Sequence, residues 1–126
     1  MANEVEILAT ATYCDLTTTG RVTGQPRTVE LWFALDGATA YALAGNGDRT
    51  DWVKNAQRQP QVTVRIGDRL FEGHARSIRD ADEDALARRL LFEKYSPTSD
   101  DLIEWARTAL PLAFDLVLPA GRGTRG

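Results

Sequence analysis

The clearest pattern along the chain runs from Arg27 to Leu35. Val29, Leu31, Phe33 and Leu35 fall on one side and Thr28, Glu30, Trp32 and Ala34 on the other, the period-two signature of a strand. Asp36-Gly37 predicts a hairpin turn, and Ala38 to Ala44 the returning strand. Ala40, Ala42 and Ala44 share a face of that strand, and such small side chains let something flat approach the backbone. Thr10 to Thr19, rich in Thr and apolar residues, predicts an earlier strand, closed by the Gly/Pro-punctuated loop Gly20 to Pro26. Gln61 to Ile66 alternates again, Gly67-Asp68 turns the chain, and Arg69 to Ile78 returns. Helical spacing replaces alternation over Arg49 to Arg58, with Asp48 or Thr50 as N-cap. It recurs over Asp80 to Tyr95, where Leu86, Leu90 and Leu91 form a stripe, and over Asp100 to Thr108, capped by Ser99. In this last helix the buried face includes Leu102, Ile103, Trp105 and Ala106, and Leu112 to Leu118 forms a final strand.

The order β-β-β-α-β-β-α-α-β is dominated by tight hairpins, with helices in the connections. It predicts an α+β fold of mainly β character: a small split or closed barrel of about six antiparallel strands with helices outside. A dinucleotide-binding parallel sheet needs crossover helices throughout and is excluded. At 126 residues the chain holds one domain, 1–126, with an N-terminal segment (1–9) and a polar tail (120–126) at its margins.

Composition narrows the function. Fifteen Lys plus Arg against 18 Asp plus Glu leave a net charge of −3, which argues against a nucleic-acid or anionic-membrane partner. A single Cys and a single His rule out an intrachain disulfide and a Cys/His metal cage. No apolar run spans a bilayer, and Met1 to Glu6 lacks the features of a signal peptide, so the expected location is the cytoplasm. His74 shares a strand face with Glu72 and Arg76 and reads as a surface histidine.

Three features carry candidate chemistry. Thr17 to Arg27 gathers hydroxyls, glycines, Arg21 and Arg27. Exposed N–H groups with guanidinium groups suit a phosphate or carboxylate; the alternative is a hairpin connection with solvated charges. Gly45 to Asn55 is a glycine-rich break opening a helix, with Arg49, Thr50 and Trp52 in its first turn. That arrangement binds anions, with Trp52 either a flat wall or a core residue. Trp32 lies on the more polar face of its strand, as a dimer contact or a ligand wall. Tyr95 presents a phenol to a pocket or closes the core.

Two of these stretches resemble signatures of the deazaflavin-dependent nitroreductase family. Leu16-Thr17-Thr18-Thr19-Gly20-Arg21-Val22-Thr23-Gly24-Gln25-Pro26-Arg27-Thr28 is similar to its opening signature. Asp51-Trp52-Val53-Lys54-Asn55 running into Gln59-Pro60-Gln61-Val62 is similar to its second, and the likeness continues through Lys94-Tyr95 and Trp105 to Leu110-Pro111. The resemblance implies an FMN-binding-type split β-barrel, usually a homodimer. Its members use the reduced deazaflavin F420 to deliver a hydride to quinones, nitroaromatics or other unsaturated small molecules. It assigns Arg27 and Thr28 to the phosphate loop, and Leu31, Trp32 and Trp52 to the walls around the deazaflavin. It places Gly45 and Asn46 at the strand end beside the cofactor tail; on this reading Arg49 and the Gly45–Thr50 backbone hold phosphates, and the small-residue strand Ala40–Ala44 accepts the ring. Tyr95 matches a tyrosine near the substrate, with a proton-donating role. Val22 and Asn46 stand where basic residues are usual. Arg21 and Arg49 are then the candidates to replace the missing charge, and FMN, with its shorter anionic tail, is the alternative cofactor. A non-catalytic ligand-binding protein of the same fold is the remaining alternative.

Overall fold

The computed structural model describes residues 7–98 and 102–117. The expected Ser99 cap, the start of the helix at Asp100, and the tail from 118 lie outside the described residues, as do residues 1–6 of the N-terminal segment. Among the described residues, seven strands build one antiparallel sheet. They are β1 (Cys14–Thr19), β2 (Pro26–Leu31), β3 (Ala34–Asp36), β4 (Thr39–Ala44), β5 (Gln61–Ile66), β6 (Arg69–Ser77) and β7 (Leu110–Val117). Three helices join them: α1 (Asp51–Arg58), α2 (Ala81–Tyr95) and α3 (Ile103–Thr108). Among the described residues no helix is long and apolar enough to cross a membrane.

The strand order β2-β1-β5-β6-β7-β4-β3 puts β2 and β3 at opposite edges. Laid flat, seven strands would separate those edges by about 29 Å. Yet only Trp32 and Phe33 lie between Leu31 and Ala34, a link that reaches at most about 10 Å. The sheet must therefore curl until its edges meet at Trp32-Phe33. This corrects the expectation of a single strand over Arg27 to Leu35: the alternation continues, but the backbone leaves one edge and joins the other midway, giving seven strands instead of six.

The inner faces form the core. Leu16, Phe33, Val64, Ile66, Leu112 and Phe114 are almost fully buried, and Trp52, Val53 and Ala56 of α1 pack into the same cluster. Ala40, Ala42 and Ala44 point into this interior too, with exposures of 1%, 1% and 3%. Protein side chains fill the space over the alanine face, so it offers no open surface to a planar ring. Outside, α2 covers β3, β4 and β7 through Ala87, Leu91 and Tyr95 against Ala34, Tyr41, Leu43 and Ala113. That stripe lies one position round from the expected one, and Leu86 and Leu90 flank it half-buried. In α3, Ile103 faces solvent at 68% exposure, contrary to the expected buried face. On β6, His74 is exposed as expected.

A polar clamp fixes the start of α2 to the sheet. Arg76 on β6 donates to both oxygens of Glu83 at 2.7 Å and to Asp115 on β7 at 2.7 Å. Tyr41 donates to Glu83 at 2.7 Å, and Asp80 caps the helix by accepting from the Glu83 N–H. Hydrogen bonds from Arg76 first, then Tyr41, hold the Glu83 carboxyl at about 2, below the usual range. A carboxyl whose folded pKa is depressed stabilises the fold above its unfolded pKa, and that contribution is lost as pH falls through the folded value. The urea midpoint is therefore expected to drop between pH 4.5 and 2. Glu83→Gln should flatten the fall; an unchanged slope in that variant would remove Glu83 from this account.

Candidate active site

The loop between β1 and β2 folds back over α1 and encloses a cavity of about 620 Å³. Thr18, Gly20, Arg21, Arg27, Thr28 and Val29 line one side, and Asp51, Trp52 and Asn55 the other. Buried Asn55 joins the two. Its side-chain oxygen accepts from the Arg21 backbone N–H at 3.2 Å and guanidinium at 2.8 Å, and its amide donates to Thr18 Oγ1 at 3.2 Å. Arg21 also reaches Asp51 at 3.3 Å. The loop is tight because Gly20 donates to the Gln25 carbonyl at 2.8 Å and accepts from Gly24 at 2.8 Å. A Cβ at Gly20 would meet Gln25 O and Thr23 Oγ1 at 3.1 Å, and Gly24 sits at φ +75°, where other residues are strained. Asn55 was not singled out by sequence reasoning, although the Trp52-x-x-Asn55 spacing, which sets both on one helix face, was the available signal.

The charges divide into two kinds. Arg21 is committed to Asp51 and Asn55 and acts as a strut. Arg27 lines the cavity, is exposed, and makes no ion pair among the described residues. Val22 is 88% exposed at the lip, where the missing cation would stand. Gly45, Asn46 and Arg49 lie exposed on the turn after β4 and do not line this cavity. The structure breaks the expected helix over Arg49 to Arg58 into a short 3-10 turn, Gly47–Arg49, followed by α1 with Thr50 as its N-cap residue. Thr50 makes no capping bond, and its buried hydroxyl has no hydrogen-bond partner among the described residues. Trp52 is 7% exposed, both a core residue against Phe114 (ring centroids 6.1 Å apart) and part of the cavity wall.

A second, aromatic groove of about 480 Å³ opens where the sheet closes on itself, lined by Tyr13, Glu30, Leu31, Trp32, Leu43, Leu102 and Trp105. Leu31 in this groove and Val29 in the basic cavity lie two residues apart on one face of β2, so one strand edge serves both. Trp32 stacks on Tyr95, centroids 4.2 Å apart and planes within 3°, and meets Trp105 edge-on at 5.6 Å. Tyr95 itself is 3% exposed. Its hydroxyl accepts from the Phe33 N–H at 2.9 Å and donates to the Thr12 carbonyl at 2.7 Å. Lys94 supplies the Phe33 carbonyl at 2.8 Å and rests over the Phe33 ring. Burial pushes the Tyr95 phenol up to about 12 and the Lys94 ammonium down to about 8. The last turn of α2 thus pins the backbone where the barrel closes, and Tyr95 stands behind Trp32 instead of facing an open pocket. Burial, the largest cause, also raises the Cys14 thiol to about 12.

Of the residues singled out from sequence, Arg27, Thr28 and Trp52 meet at the basic cavity, and Leu31 and Trp32 at the aromatic groove. Ala44 lies in the barrel interior. The family model for F420H(2)-dependent quinone reductases matches residues 2–115, nearly the whole chain. The chain belongs to this family. An F420H(2)-dependent quinone reductase of Mycobacterium tuberculosis is 33% identical over 72 residues, which make up 55% of this chain and 48% of that protein. The match therefore spans about half the length of the relative. A solved F420-H2 dependent reductase is 22% identical, covers 84% of this chain and 94% of its own, and superposes with a TM-score of 0.62. A solved chain described as a domain-swapped dimer is 24% identical, with a TM-score of 0.67 over 84% of this chain and 80% of its own. These neighbours share the fold, a split β-barrel, as the resemblance implied.

Proposed function

We propose that this quinone reductase family member binds F420 along the β2 edge, with the anionic tail in the basic cavity and the ring end toward the aromatic groove. The observation that carries the reading is the shared edge: one face of β2 links an uncompensated cation, Arg27, to an apolar groove walled by Trp32 and Trp105. The residues present suit such a cofactor. Arg27, the Thr28 hydroxyl and the backbone of the Gly20 loop line the cavity and suit anionic oxygens. Bound F420H2 supplies a hydride to a quinone, nitroaromatic or other unsaturated acceptor. The chain's own task is to hold and orient the partners. Trp32, fixed by Tyr95, sets the wall of the acceptor end, and Asn55 holds the loop at the tail end. The reading extends to a homodimer, supported by the neighbour described as a domain-swapped dimer.

Exposed Val22 and Asn46, in place of cations, favour a second reading in which the shorter tail of FMN occupies the same cavity. Separate spectroscopic titrations with oxidised F420 and FMN, followed by turnover of a naphthoquinone with F420H2, decide between them. Micromolar F420 binding with quinone reduction is the expected result. Tight FMN binding without F420 binding would overturn it.

A further inference from the structure

The aromatic groove contains one ionisable group of uncompensated charge. Glu30 lines it beside Trp32, Trp105 and Tyr13, is exposed, and makes no ion pair among the described residues. The register of β1 and β2 sets Asp15 directly opposite Glu30, a second carboxylate on the same outer face, with Arg65 beyond it on β5. Arg65 donates to the Gly67 carbonyl and forms no ion pair with Asp15 among the described residues. Like charges facing each other across strands cost stability; Arg65, opposite Asp15 on its other side, offsets part of that cost and leaves Glu30 without a facing cation. Lys94, the cation behind the groove, is bonded to the Phe33 carbonyl and does not line it. The mouth thus combines aromatic faces, which attract cations through their ring quadrupoles, with negative charge, which attracts cations and repels anions.

From this combination we infer that the groove selects planar acceptors that carry a positive charge, such as quinones with an ammonium substituent, over anionic ones. The inference rests on the groove being the acceptor end of the proposed site. It concerns binding, so it can be read without turnover. Trp32 and Trp105 report occupancy through their fluorescence.

Three naphthoquinones, bearing a trimethylammonium group, no charge or a sulfonate, are titrated against the full chain and against Glu30→Gln, at low and high salt. The cationic probe is expected to bind roughly tenfold more tightly than the sulfonate at low salt, with the ratio shrinking as salt rises. Glu30→Gln should move the ratio most of the way to one. A general packing defect would weaken all three probes alike and leave the ratio in place. Asp15→Asn gives an independent reduction of the same ratio. A ratio near one in the unmodified chain, or one that Glu30→Gln does not change, overturns the inference. F420 affinity is measured in parallel without acceptor. Loss of F420 binding with the charge ratio intact would overturn the reductase reading and leave the groove's preference standing.

Discussion

Arg27→Ala is expected to weaken F420 binding by roughly 10- to 100-fold while leaving the fold intact. The guanidinium lines the basic cavity, is exposed and forms no ion pair among the described residues, so the protein itself loses no partner. A charge-assisted hydrogen bond to a phosphate is worth about 1.5–3 kcal/mol, and each 1.4 kcal/mol is a factor of ten in affinity. Arg21→Ala makes the informative comparison. That arginine is bonded to Asn55 and Asp51, so its removal should lower the thermal midpoint together with the affinity. Absorbance titration with oxidised F420 and a melting curve on each variant read the two effects separately. An unchanged dissociation constant for Arg27→Ala would move the cofactor tail out of this cavity.

Tyr95→Phe is expected to cost about 1–3 kcal/mol of stability and to change acceptor reduction by no more than a few-fold. The hydroxyl is the partner of the buried Phe33 N–H, which phenylalanine would leave unsatisfied. Thr12 is exposed, so water can satisfy its carbonyl, and the Phe33 carbonyl keeps Lys94. The ring remains to stack on Trp32, so the groove wall stays in place. A phenol raised to about 12 by burial, with its proton on a backbone carbonyl, is poorly placed to serve as an acid near neutrality. We therefore propose Tyr95 as a positioning residue. Urea denaturation and the kcat/KM split test this together. A collapse of kcat with stability unchanged would make Tyr95 the proton donor after all.

The two stretches that carried the site were legible because their chemistry is local. The loop from Thr17 to Arg27 needs glycines where its backbone turns back on itself, and Gly20 and Gly24 stand at those points. Trp52 and Asn55 share a helix face by spacing alone, and the structure uses that face to bind the loop. Assigning charges to roles was not legible in the same way. Arg21 and Arg27 are both loop arginines, but only their neighbours in space distinguish a strut from a free cation. The alanines of β4 show the converse error. Small side chains on one strand face are compatible with an open ring site or with a crowded core, and packing from α1 and β7 made it the core.

The sequence by itself determined six strand-like segments, most of the tight turns, the alternation of sides along the strands, and the family, because these depend on period-two patterning and on backbone conformations available to few residues. Only the tertiary structure decided that the strand through Trp32-Phe33 breaks and joins both edges of the sheet. That choice depends on hydrogen bonding between segments far apart in the chain, and on the contact of Tyr95 with Phe33 across 62 positions, which no local pattern records.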